Sequence, residues 1–231
     1  MKKYCVAGYK GIIGSYILNG LIKYLPTASD ILCFDVYDKP EVALAKIDEA
    51  DVVFNCVSFN NTIDFLNLYN INLRGKILID QTSWKTDVYE WSKMNPEVMV
   101  YFMHILYNPD NTVMEDRQIL TFEHPMGESW NNIFDHCDFS RPFERFITHG
   151  LLAERVVIDD HYDKAIADHD KMMAIQQPEF YDYLDELVKK CGTSAYGTQN
   201  YRELLKMRDR VRSMNPDLME GLRSNPYYKK K

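Results

Sequence analysis

Three glycines spaced three residues apart, Gly8, Gly11 and Gly14, constrain this chain more than any other feature. Before them, Lys3-Tyr4-Cys5-Val6-Ala7 reads as a short apolar strand. After them, residues 15–24 carry Ile17, Leu18, Leu21 and Ile22 on one face of a helix. A strand that turns through glycines straight into a helix uses them in three ways. They allow the tight turn, let a phosphate approach the backbone, and let the helix pack closely on its strand. The free N–H groups and positive dipole end of that helix then face the turn. The pattern implies a pyrophosphate held over Gly8, Tyr9, Lys10, Gly11, Ile12, Ile13 and Gly14.

The next segment points the same way. Asp30-Ile31-Leu32-Cys33-Phe34-Asp35 reads as a second strand ending in an acid, 21 residues after Gly14. A carboxylate about that far along accepts hydrogen bonds from an adenosine ribose and repels a 2′-phosphate, which favours NAD over NADP. Strand and helix patterns then alternate. A short helix or loop over 41–49 precedes a buried strand over 51–57, a helix over 61–69 and a strand over 76–80. A helix over 86–94 and strands over 98–103 and 118–122 follow. Units of this size predict an α/β fold, a Rossmann-type doubly wound and mostly parallel sheet with helices on both faces. Ligands of such sheets bind beyond the carboxyl ends of the strands. Val57 and Ser58 therefore join the candidate cofactor contacts, and 81–85 and 104–110 are the other stretches on that edge.

Residues 123–140 read as an irregular excursion over the surface, 141–152 as a helix and 155–158 as a last strand. Beyond Asp160 the pattern turns helical, over 161–190 with a break near Pro178 and again over 200–214, before a polar, basic tail at 225–231. The expected domains are a dinucleotide-binding domain over 1–160 and a helical domain over 161–231. So small a helical piece has little core of its own, so it is expected to pack on a second copy in a homodimer. A net charge of −7 argues against nucleic acid or an anionic membrane as partner. The N-terminal stretch lacks a signal-like apolar segment, and no apolar run reaches spanning length. The five cysteines form no CxxC pair, which suits free thiols in a reducing cytoplasm.

Five stretches in order carry a family likeness. They are Asp80-Gln81-Thr82-Ser83-Trp84-Lys85; Met103-His104 with Asn108-Pro109-Asp110; His169-Asp170-Lys171-Met172-Met173-Ala174; Tyr201-Arg202; and Arg210. Together they resemble the prephenate dehydrogenase family, over residues 6–218. The resemblance implies an NAD(P)-dependent dehydrogenase with a dinucleotide-binding domain followed by a short all-helical dimerisation domain. Such enzymes oxidise prephenate to 4-hydroxyphenylpyruvate with loss of carbon dioxide, in tyrosine biosynthesis. It also implies catalytic roles for His104 and Ser83, and substrate contacts for Arg210, Lys85, His169 and Arg202. The chemistry suits these residue types. A neutral imidazole near physiological pH can take the hydroxyl proton, and a guanidinium fork fits the ring carboxylate. The reaction needs no metal, and Asp168, His169 and Asp170 are too close in sequence to share one helix face.

The chain departs from the family pattern at four places. Tyr9 stands for a glycine, Ile105 for a proline, Asn108 for a glycine, and Tyr181 near a second substrate-binding histidine. A tyrosine donates a hydrogen bond but cannot become cationic, which leaves arogenate or an amino-substituted prephenate open as the substrate. Two other functions compete. An extended short-chain dehydrogenase shares the glycine spacing, and Tyr89-x-x-x-Lys93 supplies its Tyr/Lys letters. A nucleotide sensor that kept the fold and lost the reaction is the other.

Overall fold

Runs of four or five apolar residues, too short for helices and flanked by helical periodicity, form strands buried on both faces. β1 (Tyr4–Ala7) and β3 (Val52–Asn55) are buried along their whole length. The computed structural model describes residues 2–25, 27–110, 112–124, 129–134, 142–158 and 161–176. Between these strands run α1 (Ile12–Tyr24), β2 (Ile31–Phe34) and α2 (Pro40–Glu49). Then come α3 (Phe59–Leu68), α4 (Asn70–Leu73), β4 (Ile77–Asp80), α5 (Thr86–Met94), β5 (Met99–Ile105) and β6 (Gln118–Phe122). The order closes with α6 (Trp130–Ile133), α7 (Pro142–Arg145), β7 (Glu154–Ile158) and α8 (Tyr162–Gln176). The chain divides into two compact units between Ile166 and Ala167. The first holds the sheet, and of the second only 167–176 are described. The expected helix over 200–214 and the tail at 225–231 lie outside the described residues.

One seven-stranded sheet runs in the order β2-β1-β3-β4-β5-β6-β7. The first five strands are parallel, with Val6 between Cys33 and Phe54, and Asn55 opposite Asp80. β6 is antiparallel to β5, with His104 opposite Leu120, and β7 is parallel to β6. The sheet is therefore doubly wound and mostly parallel, a Rossmann-type α/β fold. From β1 the chain goes first to β2 on one side and later to β3 on the other, so a crevice opens beyond the carboxyl ends of these strands. Among the described residues no helix is long and apolar enough to cross a membrane. Cys5, Cys33 and Cys56 are free thiols, and burial pushes the Cys5 thiol up to about 12.

One expectation fails at the sheet's far side. The stretch expected to wander over the surface contributes to the core, where Trp130, Ile133 and Phe134 are buried. Trp130 stacks on Phe143 and Phe134 on Phe146, and Trp130 Nε1 donates to Phe122 O at 3.2 Å. Asparagines between these aromatics break the periodicity that would reveal them. The helix expected over 141–152 stands over 142–150, as α7 running straight into a π-helical turn over Phe146–Gly150, with Leu151 N donating to Phe146 O at 2.9 Å. That wide turn sets Gly150 against Gly20 of α1. A Cβ on Gly20 would stand 2.3 Å from Leu151 Cδ2.

Candidate active site

The glycine turn is built for close approach, each glycine for its own reason. Gly8 has a φ of +81°, and a Cβ there would lie 2.7 Å from Cys56 O. A Cβ on Gly14 would lie 2.1 Å from Gly8 O, so α1 packs on the turn only because Gly14 lacks one. Gly11 is different, because its Cβ would meet nothing nearer than Gly8 O at 3.4 Å. Packing does not require glycine at position 11; room kept over the start of α1 does. Gly11 is the N-cap residue of α1 and offers no side-chain bond, so no cap side chain takes the first-turn N–H groups. The turn thus fits a pyrophosphate.

Asp35 sits one residue past β2 and is buried against this turn. Its Oδ2 accepts from Lys10 N at 3.0 Å and its Oδ1 from Val36 N at 2.8 Å. The Lys10 ammonium lies 5.6 Å from the Tyr9 ring centroid and 5.1 Å from that of Tyr37. Past β3, Val57 N donates to Asn55 Oδ1 at 3.3 Å and would stand 3.2 Å from a Cβ on Gly8. Ser58, the N-cap residue of α3, accepts from Asn61 Nδ2 at 3.0 Å.

A cavity of about 290 Å³ opens beside the glycine turn. Ile12 and Ile13 of α1, Gln81 and Ser83 beyond β4, His104 of β5, and Tyr107, Asn108 and Pro109 after β5 line it. The structure so places His104 and Ser83 in one cavity with the start of α1. His104 belongs to β5 itself and is 7% exposed. Ser83 is exposed, and it does not cap α5, whose N-cap residue is Lys85.

Lys85 itself is not where the resemblance put it. It is fully buried and does not line the cavity. Its ammonium donates to Asp80 Oδ2 and Asp80 O, both at 3.1 Å, and to Met103 O at 2.9 Å. Those acceptors match its three protons, leaving none for a substrate. Asp80 also accepts from Asn55 Nδ2 at 2.8 Å and from Thr82 Oγ1 at 2.6 Å. This buried network ties the ends of β3, β4 and β5 together immediately before His104. Lys85 is therefore part of this buried network and not of the cavity lining.

Gln81 falls within the 81–85 stretch that the sequence places on the ligand edge, yet neither its spacing nor the resemblance gives it a role of its own. The available signal was its place, a long polar side chain directly past a buried strand on the ligand edge. The segment after β5 that lines the cavity is held by Arg117, which donates from Nε to Thr112 O at 3.1 Å and from Nη2 to Pro109 O at 2.9 Å. Its guanidinium lies 5.6 Å from the Tyr107 ring centroid and 6.0 Å from that of Tyr16. The two tyrosine hydroxyls share a hydrogen bond of 2.7 Å. Burial and that bond push the Tyr107 hydroxyl up, so it stays protonated.

The short-chain dehydrogenase reading loses its pair. Tyr89 and Lys93 lie on α5, and neither lines the cavity. Lys93 sits over the Tyr89 ring, 4.1 Å from its centroid, and the Tyr89 hydroxyl donates to Asp163. Burial and that carboxylate push the Tyr89 hydroxyl up, the wrong direction for a catalytic tyrosinate. In the second unit, His169 is buried on α8 with Nδ1 3.1 Å from Asp170 Oδ1. Tyr181, Arg202 and Arg210 lie outside the described residues. Among the described residues no cluster of three or more His, Cys, Asp or Glu could hold a metal.

Glycine turn, switch in strand order and cavity at the strand ends together define a Rossmann-type α/β fold. Solved structures share this fold. An imine reductase from Myxococcus stipitatus, solved with NAD+, matches 96% of this chain and 74% of its own at 14% identity, with a TM-score of 0.51. A candidate prephenate dehydrogenase from Corynebacterium glutamicum matches 94% of this chain and 76% of its own at 13% identity and a TM-score of 0.53. Plasmodium falciparum pyrroline carboxylate reductase, solved with NADP, matches 97% and 80% at 13% identity, also at 0.53. At these identities the likeness is one of fold. No protein-family model matches the sequence, and no curated protein is significantly similar to it.

Proposed function

We propose that this protein is a nicotinamide-dependent oxidoreductase that uses NAD to oxidise and decarboxylate prephenate. One observation carries the reading, that His104 and Ser83 share a cavity with the glycine-turn end of α1. The bound dinucleotide supplies the hydride acceptor. Gly11 leaves room for its pyrophosphate, and the Asp35 carboxylate, held at the turn by Lys10 N, takes the ribose and disfavours a 2′-phosphate. His104 accepts the proton of the substrate's ring hydroxyl as hydride leaves the same carbon and the ring carboxylate departs as carbon dioxide. Ser83, exposed at the same cavity, takes the role the resemblance gives it, a hydrogen bond offered to the imidazole and the substrate once the substrate is bound.

Arg210 supplies the fork for the ring carboxylate, with Arg202, His169 and Tyr181 in the supporting roles the resemblance gives them. The chain works in the cytoplasm as a homodimer, with the helical domain over 161–231 as its dimerisation piece. Arogenate, in place of prephenate, is the alternative substrate left by Tyr181.

The test is reduced-cofactor absorbance with NAD and NADP, each against prephenate and arogenate, for the wild type and His104→Asn. Turnover with NAD and prephenate is expected, falling by about 10²- to 10⁴-fold in the variant at unchanged NAD affinity. Silence on both substrates, or equal turnover in the variant, overturns the assignment.

A further inference from the structure

We propose that Gln81 is the anchor for the carboxamide of the nicotinamide ring. The inference rests on the reading that a dinucleotide lies over the glycine turn. Gln81 is the first residue past β4, is 7% exposed, and lines the cavity shared by Ile12, Ser83 and His104. Both polar atoms of its side chain, Oε1 and Nε2, are covered and have no hydrogen-bond partner, and presenting them to the cavity that the residue lines takes a turn of the side chain. A buried donor or acceptor left unmade costs roughly 1–3 kcal/mol, and native structures rarely keep two on one side chain without a reason. The groups beside it are already engaged. Thr82 Oγ1, Asn55 Nδ2 and the Lys85 ammonium all donate to Asp80. The protein thus satisfies the charged residue before Gln81 and leaves the neutral one to a ligand.

The orphaned pair also says what that ligand group must be. It needs a donor and an acceptor side by side in one plane. A primary carboxamide meets a primary carboxamide in this way, with two reciprocal N–H···O bonds, whichever way the pair is turned. A carboxylate cannot, because one of its oxygens would face Oε1. The position in the fold agrees. Asp35 just past β2 takes the adenosine side and Gly11 at the start of α1 the pyrophosphate. The remaining end of the dinucleotide then crosses the switch point towards the ends of β3 and β4, where Gln81 lies.

The experiment is calorimetric binding of NAD, of the analogue with nicotinic acid in place of nicotinamide, and of ADP-ribose, to the wild type and to Gln81→Met. Methionine keeps the length and removes both polar atoms. The wild type should bind NAD about tenfold more tightly than the nicotinic acid analogue, the value of one well-made hydrogen-bonded pair. That comparison needs no variant, and equal affinities overturn the inference. Gln81→Met should lose about tenfold for NAD and stay within about twofold for ADP-ribose, which lacks the ring. Equal loss for both ligands, or none for NAD, overturns it. A raised KM for prephenate at unchanged NAD affinity also does so, by giving the group to the substrate. If ADP-ribose fails to bind the wild type, the dinucleotide reading itself falls; if it binds and NAD shows no preference, only the role of Gln81 falls.

Discussion

Replacing Lys85 with methionine isolates what the buried network contributes. Lys85 and Asp80 have fully buried side chains 3.1 Å apart, so the substitution removes one charge and leaves the other inside the protein. Asp80 would keep its bonds from Asn55 and Thr82, which are neutral donors and cannot balance it. Removing one partner of a buried pair costs about 3–5 kcal/mol. For a chain of this size that corresponds to a fall in Tm of roughly 6–20 °C. Urea unfolding followed by tryptophan emission reads it directly, because Trp84, Trp91 and Trp130 are all buried and all belong to the first unit. Adding Asp80→Asn removes the orphaned charge and should restore about 2 kcal/mol or more. A loss below about 1 kcal/mol in the single variant, or purely additive losses in the double, would refute the argument that this pair holds the strand ends together.

Two further outcomes follow from the geometry. Gly11→Ala should leave the fold nearly as stable, within about 1 kcal/mol, yet weaken ADP-ribose by calorimetry, because its methyl fills the kept space and meets only Gly8 O. Gly14→Ala drives a Cβ into that same oxygen and should lower Tm as well; if both variants behave alike, the distinction between the two glycines is wrong. His124, half-buried between the rings of Tyr101 and Tyr162, has its imidazole held below the ordinary range by burial. The folded state then binds fewer protons than the unfolded one. This contribution to stability is complete above about pH 6.5 and is lost as pH falls from there towards the depressed folded value. His124→Phe should flatten that part of the urea midpoint against pH, and an unchanged slope between pH 7 and pH 5 would count against it.

The elements whose periodicity was uninterrupted were legible at once. The helix over Thr86–Met94 and the strand over Gln118–Phe122 stand where the pattern puts them, as does the strand–glycine–helix start. What escaped was decided by tertiary partners. Nothing in residues 130–134 marks Trp130 and Phe134 as core, because their burial depends on Phe143 and Phe146 arriving later in the chain. A lysine after a strand on the ligand edge looks like a substrate contact. Only the register of β3, β4 and β5 shows that Asp80 and Met103 claim it. Gln81 was hidden for the opposite reason, since its meaning lies in bonds it does not make.

Arg117 grips the segment after β5 by the main-chain oxygens of Pro109 and Thr112. Every amino acid carries that oxygen, so the grip is indifferent to which side chains the segment displays. Pro109 lines the cavity within that grip, while the neighbouring Asn108 also fixes the segment through its own side chain, its Oδ1 accepting from Asp110 N at 3.0 Å. Position 109 of this wall is thus open to mutation on a frame that Arg117 keeps. A change of that kind leaves the glycine turn and the buried lysine as they are.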